Sequence, residues 1–114
     1  MPSSTTSNSV VQQSCTSRAK RNLHWVYVLE SLKDKKRYIG YTKNLRKRLI
    51  QHQQGKIFST SFRRPLMLIY LEGCLDEEDS KRREKYLKTT GGRRFLAKRL
   101  KSYYNDKTQY YKNL

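Results

Sequence analysis

The stretch RYIGYTKNLRKRLIQH, residues 37–52, puts a phenol, a guanidinium and an imidazole into one short unit: Tyr38, Arg48 and His52. Arg48 and His52 stand at i and i+4, so on a helix they share a face and reach the same ligand. A guanidinium holds two phosphoryl oxygens in its planar fork, and an imidazole with an ordinary pKa near 6.5 passes protons at neutral pH. Tyrosine titrates near 10, so it acts as a base only where neighbouring cations or a metal ion favour the phenolate, a bias that the net charge of +17 is expected to supply. These residue types fit proton transfer beside a phosphate. The plainer reading is a solvated basic face made of Arg46, Lys47 and Arg48, with an incidental helical histidine.

The surrounding pattern supplies elements to hold such groups. LHWVYVLESL is β-branched and aromatic, KDKK is turn-prone, and RYIGYT resumes the apolar pattern, which predicts a hairpin. Thr42 is the expected N-cap of the helix KNLRKRLIQHQQ, whose Leu45 and Leu49 face the core and whose end falls at Gly55 in a left-handed position. KIFSTSFRRP reads as a loop, and the near-continuous apolar run LMLIYLEGC predicts the most buried strand. Asp76 and Asp79 resemble a capping box opening EEDSKRREKYLKTT, closed by Gly91-Gly92. Phe95, Leu96 and Leu100 give a third helix its apolar side. The expected fold is α+β, a three-stranded, mainly antiparallel sheet flanked by helices. Residues 1–22, polar and Ser/Thr-rich, read as a disordered leader, residues 23–102 as the domain and residues 103–114 as a C-terminal tail without periodicity.

At 114 residues the chain fits one domain. Its 26 Lys and Arg against nine acids give a formal charge of +17, more than solubility requires and costly through self-repulsion. A polyanion offsets such charge, and nucleic acid is the leading class: DNA, with RNA left open. A membrane surface fits poorly, because the most basic helix lacks an apolar face and no apolar run approaches a span of roughly 18 residues. Cys15 and Cys74 are far apart in sequence and the first falls in the expected disordered leader, so no structural disulfide is expected, which suits a reduced, cytoplasmic setting, nucleoid-associated in a bacterium. No zinc-ligand spacing occurs, and Gly91-Gly92 lacks the context of a phosphate-binding loop. Ser59, Thr60, Arg63 and Arg64 of STSFRRP, with Lys43, Arg46 and Lys56, are the expected backbone-phosphate contacts. The alternative is a loop held only by its own turn bonds.

WVYV at 25–28 followed by YIG at 38–40 resembles the paired motifs of the GIY-YIG nuclease superfamily. Of the first motif only the tyrosine matches by letter, while the second matches fully; the two tyrosines are 11 residues apart. NLRKRLIQH places Arg48 on the family's catalytic arginine and His52 where members carry histidine or tyrosine. RREKYLK resembles the helix that supplies a metal-binding glutamate, here Glu84. STSFRRPLMLIYLE resembles small single-domain members likened to the nuclease domain of the excinuclease C subunit. The chain offers no asparagine after Glu84 until Asn105, where many members have one, and Tyr41 stands where some relatives carry lysine.

The resemblance implies a DNA endonuclease using Mg²⁺ or Mn²⁺, directed by structure rather than sequence, in repair or recombination. It implies Tyr27 as general base and Tyr38 as its hydrogen-bonding partner, or the reverse, provided that the strand register puts both phenols on one face. It gives Arg48 the phosphoryl oxygens, has His52 either orient the tyrosine or touch phosphate, and makes Glu84 the metal ligand. The other reading of Glu84 is an i, i+4 ion pair with Lys88. Two rival functions stay open: a nucleic-acid-binding protein with a decayed site, and a subunit active only with a protein partner.

Overall fold

The computed structural model describes residues 22–106. The expected leader thus lies outside the described residues except for Asn22, as does the tail beyond residue 106.

Strand β1 (His24–Ser31) is central, with β2 (Arg37–Thr42) on one side and β3 (Leu66–Cys74) on the other. Both pairings are antiparallel. With helices on the sheet, the architecture is the α+β arrangement expected. The hairpin loop closes with Ser31 N–H donating to the Lys36 carbonyl at 2.9 Å, while Lys35 takes the left-handed conformation, φ 62°.

Alternation along β1 divides the interior in two. Val26 and Val28 face one way and bury against Leu87 and Leu96 of the later helices, with Ile39, Ile69 and Phe95 around them. Tyr27 and Leu29 face the other way, against Leu66, Tyr38, Leu45 and Leu49. A strand paired on both edges and covered on both faces leaves no residue exposed, so β1, not β3, is the most buried strand. The run LMLIYL lies at the sheet edge, where Leu68 and Leu71 are more than a third exposed.

Helix α1 (Leu45–Gln53) follows β2. Its N-cap is Asn44 rather than Thr42: the Asn44 side chain accepts from Lys47 N–H, and Thr42 Oγ1 accepts from Asn44 N–H one step earlier. Leu45 and Leu49 turn inward as expected, and Gly55 sits at φ 77° past the helix end. The loop that follows contains one short turn of helix, α2 (Phe58–Ser61).

Helix α3 (Glu77–Leu87) is capped by Asp76, which accepts from the N–H groups of Glu78 and Asp79. Asp79 does not complete the box; it pairs with Arg82. Gly91 and Gly92 do not close α3. They lie in the first turn of α4 (Thr90–Arg99), whose N-cap Thr89 accepts from Gly92 N–H, because a hydroxyl satisfies an orphan donor that glycine cannot. Arg83 fixes α3 to β3 with a bidentate grip on Glu72, its guanidinium 4.5 Å from the Phe95 ring centroid. Against the cost of burial, Arg83 and Tyr70 hold the Glu72 carboxyl below its ordinary range. A short α5 (Lys101–Asn105) takes in the first residues of the expected tail, because the Tyr103 hydroxyl donates to buried Glu30 in β1. No helix among the described residues is long and apolar enough to cross a membrane.

Candidate active site

Register decides whether two strands present their phenols together. Tyr27 pairs with Gly40 and Leu29 with Tyr38, so Tyr27 and Tyr38 are diagonal neighbours on one face of the hairpin. Their ring centroids lie 6.2 Å apart. Gly40 creates the space: a Cβ there would fall 2.4 Å from the Tyr27 hydroxyl oxygen. The glycine of the YIG motif is therefore the floor under the first phenol.

Helix α1 brings His52 onto these rings. The imidazole centroid is 5.5 Å from that of Tyr27 and 5.1 Å from that of Tyr38, edge to face in both cases. His52 Nε2 lies 2.8 Å from the Tyr27 hydroxyl, and Nδ1 lies 2.8 Å from Thr60 Oγ1 on α2. The Thr60 hydroxyl donates to the Ile57 carbonyl, so its oxygen accepts Nδ1–H and leaves Nε2 bare to accept from Tyr27. Phenol, imidazole and threonine thus form one directional chain, and all three residues are at most 1% exposed.

This chain corrects three expectations. Thr60 is fully buried and is no phosphate contact; its hydroxyl orients His52. His52 has both nitrogens engaged by protein groups and is 1% exposed, which fits the orienting alternative better than a phosphate contact. The surplus of cations does not favour the Tyr27 phenolate either. Burial pushes that hydroxyl well above the ordinary tyrosine range, with neighbouring Tyr38 adding to the push and Arg48 opposing it. Burial, then the Arg48 charge, lowers His52 to about 4, so the imidazole is neutral at pH 7.

Arg48 is half-buried where Arg46 and Lys47 are exposed, and its charge registers at both Tyr27 and His52. It therefore stands apart from the solvated basic face. Glu84 lies on α3, one position beyond Arg83, and so points away from the Glu72 grip. It lines an open cleft of about 390 Å³ with Tyr41, Glu78, Lys81, Arg82 and Lys85. Its carboxylate accepts from Lys88 Nζ at 3.2 Å, the ion pair weighed for it from spacing, and it is 21% exposed. Its charge contributes, as the smallest of several influences, to the raised Tyr27, which puts it within electrostatic range of that phenol.

No group of three or more His, Cys, Asp or Glu able to hold a metal ion occurs among the described residues. A hard divalent cation such as Mg²⁺ does not need one, because it keeps several waters and takes one or two carboxylates plus substrate phosphates. The Glu84 carboxylate, at an open cleft with an exposed partner Lys88 that is worth little as a surface pair, fits that donor set.

The remaining basic residues divide by use. Arg63 pairs with Asp34 at 3.0 Å, and Arg64 donates to the Ser61 and Gln53 carbonyls, so both brace the loop. The Arg63 contact restrains the β1–β2 turn. Lys43 and Ser59 are exposed, and Arg46 and Lys56 line an open groove along α1 of about 400 Å³. Sequence reasoning gave His24 no role. Its Nδ1 lies 2.7 Å from the Tyr41 hydroxyl, a second imidazole–phenol pair beside the Glu84 cleft. Nothing in the spacing announced that contact, since it joins residues across strands β1 and β2.

A three-stranded antiparallel sheet under helices, with paired tyrosines on its first hairpin, is the topology of a nuclease-type domain. A profile of the GIY-YIG catalytic domain matches residues 23–95, and the chain belongs to that family. Its relatives include a UPF0213 protein of Staphylococcus haemolyticus, 39% identical over 67 residues, covering 58% of this chain and 80% of that one. A UPF0213 protein of Staphylococcus saprophyticus is 36% identical over the same shares, 58% and 80%. The UPF0213 protein YazA of Bacillus subtilis is 38% identical over 68 residues, 59% of this chain and 68% of its own. No solved structure matches.

Proposed function

We propose that the protein is a metal-dependent endonuclease that hydrolyses DNA phosphodiester bonds and selects by DNA structure rather than by base sequence. The observation that carries this reading is the buried chain Tyr27–His52–Thr60 with Arg48 beside it. Hydrolysis needs a proton taken from water, charge compensation at the phosphoryl oxygens and room for the departing oxygen. His52 Nε2, 2.8 Å away, fixes the Tyr27 hydroxyl on one side, and Tyr38 flanks it on the other. As water attacks phosphorus, the P–O bond breaks with its electron pair going to the departing oxygen, which takes a proton from solvent, and Tyr27 takes the water proton in step with passing its own to Nε2. The wide gap between a raised phenol and an imidazole near 4 keeps the proton on Tyr27 until substrate is bound. Arg48 presents its fork to the phosphoryl oxygens. Glu84 would hold Mg²⁺ or Mn²⁺, which supplies further positive charge there.

Purified protein incubated with linear, flapped and junction DNAs in Mg²⁺ or Mn²⁺ tests the reading. Cutting is expected on branched substrates, and it should be lost in Tyr27→Phe and Glu84→Ala. Binding without cutting by the wild type, across all substrates and both ions, overturns it in favour of a binding protein.

A further inference from the structure

Phe58 and Phe62 are 84% and 75% exposed, the two most exposed large hydrophobic residues described. They sit two residues either side of Thr60. Thr60 points inward to His52, so the phenylalanines take the outer side of α2. Their rings meet edge to face with centroids 6.4 Å apart, which makes one small apolar platform rather than two stray side chains. Leaving two aromatic rings in water forfeits the stabilisation that burial would give. The setting says what covers them. Between residues 35 and 71 the sequence has ten Lys and Arg and no Asp or Glu. Lys33 donates to the Phe62 carbonyl, Lys56 is exposed just before α2, and the carboxylate of the adjoining turn, Asp34, is already paired with Arg63. A second copy of this chain would bring like charge onto the platform. A polyanion with π faces would not.

We propose that Phe58 and Phe62 stack unpaired nucleobases of a branched DNA, while the surrounding cations hold its backbone. The inference rests on the nuclease reading and names the feature of the substrate that it selects. Stacking on aromatic side chains is sequence-tolerant, since every base has a π face, and it requires bases free of the duplex stack. Phe58 opens α2 and Phe62 follows directly at its C-cap, so a stacked base sits on the turn that also carries Thr60 to His52.

The test measures binding of the full-length protein in EDTA, where no cutting occurs. Substrates are a fully paired duplex and the same duplex with a single-stranded flap carrying 2-aminopurine. Phe58→Ala/Phe62→Ala should weaken flap binding about tenfold or more and abolish the 2-aminopurine quench, with duplex affinity changed by less than about twofold. Phe58→Trp/Phe62→Trp should restore both. Equal losses on the two DNAs, no loss on either, or a changed sedimentation mass of the alanine variant would each overturn the proposal. Because binding is read without catalysis, a protein that stacks flaps but never cuts would sink the nuclease reading alone.

Discussion

His52 sits at the centre of the buried phenol–imidazole–threonine chain and bears on the acid stability of this molecule. Its imidazole is neutral because burial, with Arg48 nearby, lowers its pKa to about 4 from an ordinary value near 6.5. Unfolded protein therefore binds one more proton than native protein between those values, and the linkage has a definite sign. The contribution is complete above about pH 6.5 and declines as pH falls toward 4. Urea unfolding of wild type and His52→Gln should converge by about 2 kcal/mol between pH 6.5 and 5, and parallel curves would place the imidazole in a solvated site. Gly40 makes a companion case. A methyl at 2.4 Å from the Tyr27 hydroxyl must displace the ring and stretch the bond to His52. Misplacement of about 1 Å costs on the order of a hundredfold in rate. Gly40→Ala should lose about that much cleavage while duplex affinity holds, and a fully active variant would free Tyr27 from the chemistry. At this scale the sequence disclosed identities better than environments. Tyr27, Tyr38, Arg48 and His52 could be singled out through the family resemblance, but the shift of the phenol depends on burial, which no motif contains. Thr60 looked like a surface hydroxyl because its inward turn is set by one short helix that no periodicity announced.

Elements were legible where their signals are local. The hairpin followed from alternation and a turn-prone KDKK, and Gly55 marked the end of α1 through its left-handed backbone. Signals failed where two residues competed for one task. Thr42 and Asn44 are both good caps, and the chain uses Thr42 to brace Asn44, which then caps the helix. Thr89 and the glycines after it offered both a stop and a start, and the hydroxyl won the start. The rank of the strands was illegible for a different reason: β1 is buried because β2 and β3 both pair with it, a fact of topology, whereas β3 is more apolar in composition yet lies at an edge. Because α1 carries Arg48 and His52 together, its cap is a handle on the site. Asn44→Ala should cost about 1 kcal/mol of stability by thermal or urea melts. Its effect on cleavage at saturating substrate should be small, since tertiary contacts of Leu45 and Leu49 still hold the helix. A loss of rate out of proportion to stability would assign α1 a weaker anchorage than these contacts imply.

Over the whole molecule, charge and chemistry are separable. The sequence announced the charge outright, +17 over 114 residues, but a net charge says only that the partner is anionic. Six of the nine acids fall between residues 72 and 84, where Glu72, Glu77, Asp79 and Glu84 are engaged by Arg83, Lys81, Arg82 and Lys88. The cations of residues 35–71 have few such partners, so most affinity for DNA should arise there, spread over many phosphate contacts and released counterions. Removing one cation from a set of that size lowers the slope of log affinity against log salt by at most about one. Arg48→Ala and Glu84→Ala should therefore bind duplex DNA with nearly wild-type affinity, measured by titration across a salt series in EDTA. Their cleavage, assayed in Mg²⁺ or Mn²⁺, should fall by on the order of 10²- to 10³-fold, as for loss of one preorganised charge at a phosphoryl group. If instead Arg48→Ala loses binding and cleavage in equal measure, the guanidinium serves affinity for the ground state and the fork belongs to the general phosphate-binding surface. If Glu84→Ala cuts normally, the carboxylate is no more than the partner of Lys88, and the ion must be held elsewhere.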